Sequence, residues 1–237
     1  MKNRLFKIFA VAVVLIPILV SCKKIVVDKQ VYVDSYIHSI NNRAGVPVYG
    51  LVHSAFCYTA LSGVSVKGST GSAMVLSKGS VDGFSFFSTI DSTSYKTTAP
   101  ASDTYSYNAT YASGETTIVT DLTSGQSLLP AKLQTPTKTA TDIVLVWSPV
   151  PNADAYKIRI YFDDGSQSAR AMFYESNFLV PSSPTNDLTV PFSLTNLSQY
   201  LNSYLSFEIS AFIFEKDQDS FEAVSTVTYR NKFITSN

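Results

Sequence analysis

Apolar and polar side chains alternate along most of this chain with a period of two. Tyr105, Tyr107, Ala109 and Tyr111 fall on one face, with Ser, Asn and Thr between them. The run from Tyr156 to Phe162 alternates in the same way. That period predicts half-buried strands, since successive side chains of a strand point to opposite faces. Strand-like runs in the first half cover 48–58, 64–67, 73–76, 83–88, 104–111 and 116–121. In the second half they cover 143–147, 156–162, 171–179, 186–192, 205–214 and 221–230. Gly-, Ser- and Asn-rich clusters punctuate them, and Asp164-Gly165 predicts a tight hairpin turn. Only 194–201 suggests a helical turn.

Residues 123–136 predict a boundary. Ser124-Gly125-Gln126-Ser127 has a flexible composition, and Pro136 cannot continue a central strand. The strand-rich halves are then 46–130 and 131–237. Many short strands at close spacing predict a sandwich in each. Residues 22–45 read as a tether with one strand-like run, 25–33.

The first 21 residues carry a different pattern. Lys2, Arg4 and Lys7 precede 13 apolar residues, 8–20, and Ser21-Cys22 follows. A basic start, a short apolar run and a small residue before the cut predict a secretory signal. The run is shorter than the ~20 residues a spanning helix needs. Leu19-Val20-Ser21-Cys22 resembles the bacterial lipobox, which implies cleavage before Cys22 and lipidation of its thiol. The chain would then be held to a bilayer by acyl chains. Lys23 after the Cys implies the outer membrane; which leaflet the protein faces stays open.

Charge narrows the partners. The chain has 18 basic and 18 acidic residues; loss of Lys2, Arg4 and Lys7 with the signal leaves 15 against 18, a net charge of −3. No basic patch points to nucleic acid. Of two Cys, Cys57 alone remains after the anchor, so an intramolecular disulfide is impossible and Cys57 reads as a buried apolar residue.

Leu145-x-Trp147-x-x-Val150-x-x-Ala153-x-x-Tyr156-x-Ile158-x-Ile160 resembles the second and third strands of a fibronectin type III domain. Leu205-x-Phe207-x-Ile209-x-Ala211 resembles its sixth. The resemblance implies that Trp147 and Tyr156 are structural core residues. The family's corner Tyr would fall at Leu205, and Tyr204 has the wrong parity. Pro47-Val48-Tyr49-Gly50-Leu51, Ser62-Gly63-Val64-Ser65-Val66 and 104–111 resemble Ig-like domains of Bacteroidetes lipoproteins. The expected fold is all-β: two tandem Ig-like/fibronectin type III-like β-sandwiches after a lipoprotein signal peptide.

Candidate chemistry is sparse. Two His and one free Cys are too few for a zinc site, which takes three or four ligands. Asp163-Asp164 and the pair Asp217 and Asp219, beside Glu215, are the calcium candidates, but they read first as solvated turn tips, and no metal is assigned. No nucleophile elbow or phosphate-cradling loop occurs, so no catalytic residue and no cofactor is assigned. Asp91-Ser92-Thr93 matches a pattern reported for O-glycosylation in Bacteroidetes, which marks Ser92. The 14 Tyr and 15 Phe can pack a sheet or stack on sugars. The expected function is a non-catalytic, lipid-anchored envelope module for adhesion or protein interaction. The alternative is a glycan-binding accessory of a polysaccharide-uptake system. A row of coplanar exposed rings would favour the glycan; an exposed apolar patch would favour the protein partner; two facing carboxylates in a cleft would revive an enzyme.

Overall fold

A computed structural model describes residues 29–79, 81–88, 90–139, 141–163, 170–182, 185–191, 204–216 and 220–231. The signal, Cys22, the Asp164-Gly165 turn, the 194–201 turn, Asp217 and Asp219 lie outside these residues. Strands hold most of the described residues, and the one helical element among them is a 3-10 turn at Ser92–Ser94. The period-two pattern explains this, because each run has one apolar face to bury.

The second half is one sandwich. Its smaller sheet has the order β13 (Asn186–Pro191), β10 (Asp142–Trp147), β9 (Thr137–Lys138). It faces β12 (Arg170–Glu175), β11 (Ala155–Asp163), β14 (Tyr204–Phe214) and β15 (Phe221–Asn231). Trp147 and Tyr156 lie in the core between them, with rings 5.5 Å apart and edge-on. The Val150 amide donates to the Tyr156 hydroxyl at 2.6 Å, which pins the β10–β11 loop. Leu205 is buried in the same core, while Tyr204 lies under the Arg230 guanidinium at 4.3 Å.

The first half has a second core. Strands β4 (Met74–Val75), β3 (Leu61–Lys67), β7 (Asp103–Tyr111) and β8 (Thr116–Thr123) form one sheet. They pack on β1 (Val31–Asn41), β2 (Pro47–Cys57), β6 (Ser85–Phe87) and β5 (Ser77–Lys78). Tyr107, Val64, Phe86 and Cys57 are buried between these sheets.

The two sandwiches share a sheet. The order β12-β11-β14-β15-β1-β2-β6-β5 is continuous across eight strands. The join is a parallel pairing of β1 with β15, in which Ile37, His38 and Ser39 face Ala223, Val224 and Ser225. Two expectations change here. Residues 31–41 are a central strand and not tether, paired with β2 along their whole length. Their inward positions 31, 35, 37 and 39 are buried, but most outward ones are also half-covered, so the alternation is blurred. Residues 123–136 are also more than a linker. Leu128 and Ala131 enter the second core, and the Ser39 hydroxyl donates to the Leu128 carbonyl at 2.5 Å.

Candidate functional site

The join between the halves carries the concentration of chemistry, on both faces of the shared sheet. Alternation places Asp34, Tyr36 and His38 on the outer face of β1 and Ser35, Ile37 and Ser39 on its inner face.

On the inner face His53 and Tyr107 form a buried polar cluster with Ser35. The Ser35 hydroxyl lies 2.6 Å from the Tyr107 hydroxyl and 3.0 Å from His53 Nδ1. The Tyr107 hydroxyl donates to the Asp34 carbonyl at 2.9 Å. Burial lowers the His53 pKa to about 4 and raises that of Tyr107, so both are neutral at pH 7. These groups are satisfied and enclosed, which suits a structural network.

Beside it lies an acidic recess of about 560 Å³. One oxygen each of Asp34, Asp121 and Glu215 lies within 4.8 Å of the others. Burial lifts Asp34 to about 7 and raises Asp121 also. Two of the three carboxylates tie strands together. Asp34 accepts from the Phe221 amide at 3.3 Å, and Asp121 from the Ser35 amide at 2.5 Å. Glu222, close by, accepts from the Ser124 amide at 2.6 Å. Hard cations favour such oxygens, and these three could supply part of the six to eight ligands calcium takes. This set differs from the calcium candidates of the sequence, of which Asp164, Asp217 and Asp219 lie outside the described residues. Asp34, Asp121 and Glu215 are far apart in sequence, and only the β1–β8–β14 corner brings them together.

On the outer face an aromatic groove of about 400 Å³ crosses the join. Phe212 packs at 5.2 Å against Phe178 and at 5.2 Å against Phe221, and Tyr36 meets Phe221 edge-on at 5.8 Å. Phe178 is 47% exposed. The Lys157 ammonium sits 5.1 Å above its ring. The rim is a charge ladder: Lys157 and Arg159 bind Glu175 at 2.6 and 2.7 Å, and Arg159 reaches Glu208 at 3.1 Å. The Lys157 ammonium and then the Arg159 guanidinium hold the Glu175 carboxyl below its usual range. The floor is a hydrogen-bonded row, Ser210–Thr226 at 3.2 Å, Thr226–His38 at 3.0 Å and His38–Tyr95 at 2.6 Å. An aromatic centre with a charged rim is the composition of protein-binding surfaces.

A second aromatic set stands at the start of β1. Tyr32, Phe56 and Tyr58 are 44%, 39% and 62% exposed. Their rings are not coplanar: the interplanar angles are 38°, 86° and 86°.

Ser92 is exposed in the 3-10 turn, its hydroxyl 3.1 Å from Asp91 Oδ1. Cys57 is fully buried.

No protein-family model matches this chain, and no curated protein does. Solved structures align with it at low similarity. A cytokine receptor complex aligns with 86% of this chain and 98% of its own, at 12% identity and a TM-score of 0.31. A two-domain fibronectin type III segment of chicken tenascin covers 86% and 98%, at 13% identity and 0.26. A Bacteroides uniformis protein provisionally assigned to carbohydrate binding covers 82% and 98%, at 11% identity and 0.29. At these values the likenesses bear on neither family nor activity.

Proposed function

We propose that this chain is a lipid-anchored envelope protein whose fused sandwiches form a rigid, non-catalytic module for binding a protein partner. The anchor reading rests on the Leu19-Val20-Ser21-Cys22 pattern behind a basic and then apolar N-terminus. The binding reading rests on one observation above others, the aromatic groove that crosses the join with Lys157, Arg159 and Glu208 along its rim. Groups carried on a continuous sheet lose little entropy on binding, because their positions are already fixed. The tilted rings of Tyr32, Phe56 and Tyr58 offer no flat platform for a sugar. Phe212 and Phe214 are near-parallel, at 8°, but Phe212 is buried.

The test uses protein starting at Lys23, cross-linked to envelope extract and screened in parallel on a glycan array. A purified partner should cross-link near the groove and lose affinity at least ~10-fold with Phe178→Ala, as central aromatic anchors do. Glycan binding with no protein partner would overturn the reading. Cys22→Ala should release the protein from membranes in the native host while it stays folded; an unlipidated Cys22 in the wild type would sink the anchor.

The acidic recess supports a second reading, acid–base hydrolysis, because a carboxyl near pH 7 can exchange protons at physiological pH. Two of its carboxylates are already held by backbone amides of neighbouring strands, which favours a fastening role. Polysaccharide hydrolysis abolished by Asp34→Asn would reverse that judgement.

A further inference from the structure

The end of the molecule where the chain enters β1 is apolar. Tyr32, Phe56, Tyr58 and Phe84 are each more than a third exposed there, and Val81 is 99% exposed. Backbone pairing fixes them at one end. Tyr32 stands opposite Phe56 in the β1–β2 register. The Cys57 amide donates to the Phe84 carbonyl at 2.9 Å and the Leu61 amide to the Gly83 carbonyl at 2.8 Å. The loop carrying Val81 and Phe84 is therefore locked beside the β2–β3 turn. Lys29 is fastened at the same end, its carbonyl accepting from the Tyr111 hydroxyl and its ammonium paired with Glu115.

We infer that this aromatic tip seats in the headgroup region of the leaflet that holds the Cys22 lipid. The inference rests on the anchor reading above. Chain length confines the occupant to lipid: from Cys22 to Lys29 there are seven peptide steps of at most ~3.6 Å, about 25 Å in all. The tip is thus kept within a short reach of the bilayer, whereas a protein partner has the whole outer face available. Aromatic rings with one polar end, such as Tyr32 and Tyr58, favour the boundary between water and acyl chains. The rings are already packed on one another, Phe56 and Tyr58 edge-on at 4.9 Å, so seating costs little ordering. Lys29 is paired with Glu115, and Tyr32 lines the same recess as Asp34, Asp121 and Glu215, so no unpaired basic group of the described residues at the tip is needed to seat it.

The test joins protein starting at Cys22 to a maleimide lipid in phosphatidylcholine liposomes; Cys57, with no exposed surface, does not compete for the reagent. Tyr58→Trp is compared with Val46→Trp, an exposed position at the other end of the β1–β2 hairpin, roughly 40 Å away along the strand. Buried Trp147 is the same background in both. Brominated acyl chains should quench Tyr58→Trp severalfold more than Val46→Trp, with a blue shift at Tyr58→Trp alone. Equal quenching at the two positions would overturn the inference. So would an emission shift at Tyr58→Trp that depends on protein concentration but not on bromine, which would mark a second copy as the occupant. The liposome supplies its own tether. An unlipidated Cys22 in cells therefore contradicts the anchor alone, and unequal quenching would still report the chemistry of the tip.

Discussion

Ile37→Ala tests whether the halves unfold as one body. Ile37 has no exposed surface and sits on β1 between Ala223 of β15 and Leu51 of β2. Truncation removes three carbons and leaves a cavity in the sheet that both sandwiches share. Ile→Ala changes in cores cost about 2–5 kcal/mol. At ~3 kcal/mol, a chain of this length should lose about 6–12 °C in melting temperature. The informative variable is where the loss is read. Trp147 is the sole Trp and lies in the second core, so its fluorescence follows the second half only. Far-UV circular dichroism follows both. If β1 and β15 couple the halves, both probes shift by the same amount and the two transitions coincide. A Trp147 transition that stays at its wild-type midpoint, while circular dichroism becomes biphasic, would refute the coupling.

Further expectations concern titration and turns. Asp34 has its pKa raised from 3.8 to about 7 by burial, so its contribution is fully present below pH ~4 and is lost as pH rises towards 7, roughly 4 kcal/mol as an upper figure. His53 has its pKa lowered from 6.5 to about 4, so its contribution is present above pH ~6.5 and is lost as pH falls towards 4, roughly 3 kcal/mol. The two slopes oppose one another between about pH 4 and 6.5. Urea midpoints across this range should therefore be flat in the wild type. They should fall towards acid in Asp34→Asn and fall with rising pH in His53→Gln; profiles unchanged in both variants would count against these shifts. Gly83→Ala should destabilise by more than ~1 kcal/mol, because φ is +74° and a Cβ would lie 2.5 Å from the Leu61 carbonyl oxygen. Thermal melts check it, and a neutral result would mean the 81–84 loop can refold locally.

The strands that the sequence made legible are those with one wet face. β7 alternates cleanly because one side packs and the other meets solvent, β11 alternates because Lys157, Arg159 and Tyr161 stand opposite its buried side chains, and β10 shows as a continuous apolar run. β1 hid for the opposite reason: its outer side chains Tyr36 and His38 lie under Phe221, Tyr95 and Thr226, so polar and apolar positions are both covered. The shared sheet was equally hidden, since three residue pairs between 37–39 and 223–225 leave no local periodicity. The outer groove follows from that join. Its aromatic residues were visible in composition, but their meeting across β14, β15 and β1 was not. Cys57 shows the converse case, where a strand-like context and the lack of a second thiol already indicated burial.

The parallel pairing of β1 with β15 also orders events in time. A chain synthesised N-terminus first completes β1 early, but the partner strand for its other edge follows only after β2 to β14. Until residues 221–231 arrive, β1 presents an unpaired edge next to an open recess. Parallel partners so distant in sequence pair slowly, because a large loop must close before any contact rewards it. The vulnerable period therefore runs from the completion of β1 to the completion of β15. A chain cut short just before β15 would retain most of its strands yet keep that edge exposed, ready to recruit another chain.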